Sequence, residues 1–264
     1  MSISRAGDLA DPRSPSRTGI RLERSHDRAR ADLYLEIPPV NVLDTVSLSE
    51  LARQVVASRS ARLLVLTGLP RAFSAGVSLA DHVPEPSRIE AMLAAMREVL
   101  EALVETPAVT LAAVSGACLG GGAEIVSACD LVLVTEDARV GFPEIRHACF
   151  PPGACALLPE RIGEARAAEW ILSGAIRSGR EASEAGFAAR AVPAARLAQE
   201  TERLADRILS AAPDALAAAR ELLRRGRRGA LERNLPAAEE AYRKLAGSED
   251  LARVAREFEA RKRR

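Results

Sequence analysis

Lysine, aromatic residues and histidine are all scarce in this chain. Its 264 residues hold two lysines, Lys244 and Lys262. Almost every basic group is therefore arginine, which suits phosphate and carboxylate recognition and argues against a buried Schiff-base lysine. Aromatic residues make up 3% of the chain, too few for the stacking platforms that hold single-stranded nucleic acid. Basic and acidic groups nearly balance, with a formal net charge of +1, so no nucleic-acid partner is expected. The four cysteines, Cys118, Cys129, Cys149 and Cys155, form no C-x-x-C pair, and histidines number three. No metal site is expected, and the thiols read as small buried hydrophobes in a reducing compartment. No apolar run reaches the ~18 residues of a membrane helix. The N-terminus lacks the apolar block of a secretory signal. The expected setting is cytoplasmic, without a membrane partner.

What is present is enough apolar material for a substantial core: 48% of residues are hydrophobic. Residues 1–18 are polar and proline-containing and read as a flexible arm. Residues 19–192 alternate short strands with helices, and 193–264 read as helices only. This order implies an α/β core with a helical tail. Strands are expected at Gly19–Glu23, Ala31–Ile37, Arg62–Thr67, Val109–Val114, Leu131–Val134, Arg139–Phe142 and Ala189–Val192. Ser47 and Glu50 fit a capping box opening a helix with Leu48, Leu51 and Val55 on one face. A loop is expected over Arg71–Pro84, then a long helix over Ile89–Leu103. In the tail, one helix has Pro213 in its first turn, with Leu216, Leu222 and Leu223 inside. The last is capped by Ser248 and carries Leu251, Val254 and Phe258 as its stripe.

The most informative stretch runs from Ala113 to Pro152. A triple glycine, Gly120-Gly121-Gly122, follows an apolar strand and opens a helix. Glu124 lies in that helix and Glu144 follows Pro143. Unpaired N–H groups at a helix start, beside two carboxylates, can stabilise an oxyanion and move protons near it. The glycines do not match G-x-G-x-x-G, and no Lys-Ser/Thr follows, so neither a dinucleotide fingerprint nor a P-loop is read here. A second loop of small residues, Ala72-Phe73-Ser74-Ala75-Gly76-Val77-Ser78-Leu79, follows the strand at 62–67. Two such loops can place two N–H groups around one oxygen.

On the motifs AFSAG (72–76), CLGGGAE (118–124) and GFPEI (141–145), the chain resembles the crotonase, or enoyl-CoA hydratase/isomerase, superfamily from about Ile20 onward. The resemblance implies a spiral of ββα units with a helical C-terminal trimerisation region, assembled as a homotrimer or homohexamer. It implies that the N–H groups of Val77 and Gly121 polarise the thioester carbonyl of an acyl-CoA. It further implies that Glu124 orients a water as base while Glu144 protonates carbon, roles that the residues alone leave open to sharing or reversal. No cofactor is called for, coenzyme A being part of the substrate. The implied substrate contacts are Val40 and Val42 before the first core helix, Ala75, Gly76, Ser78 and Leu79 of the loop, and His82 beyond it. Phe258 and Arg261 of the last helix match the pair that closes over CoA.

Two features depart from the common hydratase pattern. Ser78 replaces an aspartate, with His82 close by, and Phe150–Pro159 is an apolar, proline-stiffened run. Both resemble the branch that hydrates cyclohexa-1,5-diene-1-carbonyl-CoA. The expected function is hydration of an α,β-unsaturated acyl-CoA, extending to a cyclic dienoyl-CoA. An isomerase or hydrolase on the same scaffold, and a non-catalytic or RNA-binding relative, are the alternatives.

Overall fold

The computed structural model describes residues 18–27, 29–78, 85–245 and 247–262. Apart from Thr18, the expected N-terminal arm lies outside them. The chain opens with strands β1 (Ile20–Arg24) and β2 (Arg30–Leu35), then β3 (Val42–Leu43) and helix α1 (Thr45–Ala57). The next units run β4 (Leu63–Thr67), β5 (Ala72–Ser74), β6 (Gly76–Val77), α2 (Pro86–Glu105), then β7 (Val109–Val114), β8 (Ala117–Leu119), α3 (Gly121–Ala128). A further unit is β9 (Leu131–Thr135), β10 (Arg139–Gly141), a 3-10 turn (Pro143–His147) and α4 (Pro152–Ile162). After α5 (Glu164–Ser173), β11 (Ile176–Ser178), α6 (Gly179–Glu184) and β12 (Arg190–Val192) come the tail helices α7 (Leu197–Leu209), α8 (Pro213–Leu245) and α9 (Glu249–Lys262).

The sheet topology explains this rhythm. One sheet has the order β1-β2-β4-β7-β9-β12, antiparallel only between β1 and β2. A second has the order β11-β10-β8-β5. Thus β4, β7 and β9 lie side by side in the first sheet, and each hands the chain to a neighbour in the second, β5, β8 and β10. A helix then returns it. This is a spiral of ββα units. β7 is buried along its whole length and β4 over all but its last residue, as expected of parallel strands covered on both faces. Full burial of each such Leu or Val contributes roughly 1.5–3 kcal/mol.

Some local expectations need correction. Ser47 does not cap α1. Asp44 does, accepting from the Ser47 N–H at 2.8 Å, while Ser47 Oγ returns to the Asp44 N–H at 2.9 Å. The capping box is real but starts three residues earlier, because aspartate competes well at that position. The loop expected over Arg71–Pro84 contains β5 and β6, strands too short to show a period. Leu222 and Leu223 are 61% and 75% exposed. The buried face of α8 instead carries Ala230, Leu231, Leu235, Glu239 and Tyr242.

Arginines seat α8 on the core. Arg220, 4% exposed, donates from Nε to Asp130 Oδ2 at 2.8 Å and reaches the carbonyls of Thr106 and Leu103 at the end of α2. Arg227 pairs with the other Asp130 oxygen. Asp130 also accepts from the Thr110 N–H at 2.8 Å. A buried arginine is tolerated here because it is paired and fills open helix-end carbonyls. No helix among the described residues is long and apolar enough to cross a membrane.

Candidate active site

The first loop is pinned from below by Asn41. This residue is fully buried with φ +52°, a left-handed conformation that asparagine tolerates better than most side chains. Its Nδ2 donates within 3.1 Å to the carbonyls of Leu35, Ala72 and Phe73, and its Oδ1 accepts from the Ile37 N–H at 2.6 Å. Ser74 Oγ donates to the Asn41 carbonyl at 2.7 Å and accepts from the Gly76 N–H at 3.1 Å. β6 then pairs in parallel with β3, Val42 opposite Gly76 and Leu43 opposite Val77. Ala75 N–H donates to Val40 O at 2.9 Å and Ser78 N–H to Leu43 O at 2.8 Å. The segment expected to hold coenzyme A is therefore stitched to the oxyanion loop.

The second loop leaves β8 at Gly120, whose φ of +52° and ψ of −127° are open only to glycine. Gly120 N–H donates to Gly141 O at 2.9 Å, and Gly120 O accepts the first helical bond of α3, from Glu124 N–H. Gly121 opens α3, so its N–H has no intrahelical acceptor and sits at the positive end of the helix. A Cβ on Gly121 would lie 2.5 Å from Val77 Cγ2 and 3.5 Å from the Val77 nitrogen. The absence of a side chain lets the two loops touch, with both backbone nitrogens on the shared boundary.

The two carboxylates come from different units. Glu124 is 4% exposed, and its Oε1 accepts from the N–H groups of Gly153 at 2.7 Å and Ala154 at 3.1 Å, in the first turn of α4. Burial pushes its pKa up to about 7, against the opposing pull of those two N–H groups. Glu144 sits in the 3-10 turn after β10. The residue as a whole is half-buried, while its Oε2 is closed off from solvent with no hydrogen-bond partner among the described residues. Burial first, and then the charge of Glu124, push its pKa up to about 8. Two such carboxyls resist ionising together.

These groups line one cavity of about 140 Å3. Ala75, Gly76, Val77, Gly120, Gly121, Glu124 and Glu144 form one part of its wall. Met92, Met96, His147, the Phe150–Gly153 segment and three residues of α8 complete it. Val40 and Val42 flank it through the β3–β6 pair, Val42 being 41% exposed. Ser78 continues from β6. Leu79 and His82 lie outside the described residues. Phe258 and Arg261 fall on α9, with side chains outside the described part.

The α8 contribution, Leu235, Glu239 and Tyr242, was not visible as a site in the sequence. The spacing of four and three places them on one helical face, which was the available signal. Glu239, 2% exposed, is held by Arg97 of α2, whose Nε donates to Oε1 at 2.8 Å. Asn41 was missed too, because nothing local distinguishes a structural asparagine from a turn residue.

Two loops meeting at the Val77 and Gly121 backbone, two carboxyls with raised pKa beside them and a spiral of ββα units make up the site. Residues 31–263 match the family model for enoyl-CoA hydratase/isomerase. The 2,3-dehydroadipyl-CoA hydratase of Escherichia coli is 30% identical over 215 residues, 80% of this chain and 84% of that protein. The cyclohexa-1,5-dienecarbonyl-CoA hydratase of Thauera aromatica is 31% identical over 169 residues, 63% of this chain and 64% of that one. The solved structure of human mitochondrial delta3-delta2-enoyl-CoA isomerase superposes with a TM-score of 0.83 at 20% identity, covering 93% of this chain and 98% of that one. At that identity the likeness speaks for the fold alone. The chain belongs to the enoyl-CoA hydratase/isomerase, or crotonase, family.

Proposed function

We propose that the protein adds water to an α,β-unsaturated acyl-CoA, with a cyclic dienoyl-CoA such as cyclohexa-1,5-diene-1-carbonyl-CoA as its preferred substrate. One observation carries the reading: two carboxyls with raised pKa share a cavity with the Val77 and Gly121 backbone. The thioester oxygen takes the N–H groups of Val77 and Gly121, which stabilise negative charge as the enolate forms; one such donor is worth roughly 3 kcal/mol. Oε1 of Glu124 is committed to the α4 N–H groups, so its proton chemistry falls to Oε2, which takes a proton from water. Glu144, whose buried Oε2 has no hydrogen-bond partner among the described residues, keeps its proton and delivers it to carbon. Reversal of the two roles returns alkene and water. No metal or redox cofactor enters this scheme, and coenzyme A arrives as part of the substrate. Val40, Val42, Ser78, Leu79, His82, Phe258 and Arg261 are proposed to hold its length. A cytoplasmic homotrimer or homohexamer is the proposed setting.

The cyclic preference is supported by the apolar Phe150–Pro152 wall and by the likeness to the Thauera aromatica hydratase. Purified protein is incubated with crotonyl-CoA, 2,3-dehydroadipyl-CoA and the cyclic dienoyl-CoA in ¹⁸O-water, and products are weighed by mass spectrometry. Labelled hydroxyacyl-CoA, formed fastest from the cyclic diene, is expected. Double-bond migration without label would make the protein an isomerase.

A further inference from the structure

Part of the cavity wall is built by a residue remote from every family motif. Tyr242, on α8, lines the cavity and is only 1% exposed. Phe150 lies against it, ring centroids 5.5 Å apart and tilted 57°. Ile89, Met92, Leu93, Cys149 and Leu251 pack around the same cluster. The ring is packed on several sides. Its helix is anchored by Arg220 and Arg227 on Asp130. Cys149, packed in the same cluster, donates to the Glu144 carbonyl from both N–H, 3.2 Å, and Sγ, 3.4 Å. Close packing of this kind resists a swing of the ring aside for a longer guest.

The size of the space agrees. About 140 Å3 is close to the roughly 150 Å3 of a buried apolar hole that accepts one benzene ring. We propose that Tyr242, backed by Phe150, is the specificity-determining wall that limits the acyl group to the bulk of one six-membered ring. This inference rests on the cavity being the acyl site of a CoA thioester, and adds to it an upper size limit and the residue that sets it.

The test measures binding, so that it stands apart from turnover. Dissociation constants are measured by calorimetry for saturated acyl-CoAs from butanoyl to dodecanoyl and for cyclohexanecarbonyl-CoA. The proteins are the wild type, Tyr242→Ala, Tyr242→Leu and Tyr242→Phe. Each methylene entering an apolar pocket tightens binding about fourfold. In the wild type this gain is expected to stop at about six carbons, the reach of one ring. In Tyr242→Ala it continues for about two carbons more, the space vacated by the phenol. Tyr242→Phe keeps the wild-type cut-off. Tyr242→Leu leaves a smaller hole, guards against a variant that fails to fold, and moves the cut-off part of the way. An identical cut-off in wild type, Tyr242→Ala and Tyr242→Leu would overturn the inference, even if the wild type hydrates the cyclic diene. A shifted cut-off without hydration by any form would uphold the wall and overturn the hydratase reading. No binding of any acyl-CoA would overturn both.

Discussion

Oε1 of Glu144 lies 2.7 Å from the point where a Cβ on Gly120 would stand. The glycine is thus required twice, for its backbone conformation and for the room it leaves the carboxyl. Gly120→Ala is expected both to push Glu144 aside and to strain the backbone that opens α3. Misplacement by about 1 Å costs on the order of 10²-fold in rate. Activity should fall by at least that factor while circular dichroism stays near wild type. A variant with undiminished turnover would show that Glu144 is not positioned through this contact.

Asn41 carries a stability prediction. Asn41→Leu strips the carbonyls of Leu35, Ala72 and Phe73 of their shared donor and the Ile37 N–H of its acceptor. Each buried group left unsatisfied costs about 1–3 kcal/mol, and a branched side chain at φ +52° adds strain. The thermal midpoint should drop by several degrees. Protection of the Ala75 and Ser78 amides from hydrogen exchange should fall first, since these bonds hold the loop to β3.

The motif positions were legible in the sequence because their chemistry is local. Gly120 and Gly121 follow directly from a buried strand, and Glu124 and Glu144 lie within the same short stretch. β4 and β7 could be read from unbroken apolar runs. β5, β6 and β8 could not, since strands of two or three residues carry no period and exist only through their pairing partners. The wall made by Tyr242 was hidden for a different reason. Nothing near it in sequence concerns the site, and its place depends on how Arg220 and Arg227 seat the long helix. Leu222 and Leu223, taken as inward, were misread because arginines rather than leucines anchor that part of α8.

The carboxyl pair gives the fold a pH signature. Both groups bind protons more tightly folded than unfolded, with folded values near 7 and 8 against an ordinary value of 4.5. Their contribution is therefore fully favourable below about pH 4.5 and is lost as pH rises through about 7 to 8. Glu144→Gln removes one titration. The stability of this variant relative to wild type should improve as pH rises from 5 to 9. Thermal unfolding of both proteins at the two pH values measures this as a difference of differences. A constant offset would mean that Glu144 is not raised.

The central claim is that Glu124 activates the water while Glu144 delivers the proton to carbon, the two acting as a unit. Hydration rates of wild type, Glu124→Gln, Glu144→Gln and the double variant, measured on the preferred enoyl-CoA by ¹⁸O incorporation, test it most directly. Groups that act as a unit give non-additive losses. Each single variant should lose about 10³-fold or more, the usual scale of positioned acid–base catalysis, and the double variant should be little worse than either. Retention of near-wild-type hydration by either single variant, or losses that multiply in the double variant, would contradict the account.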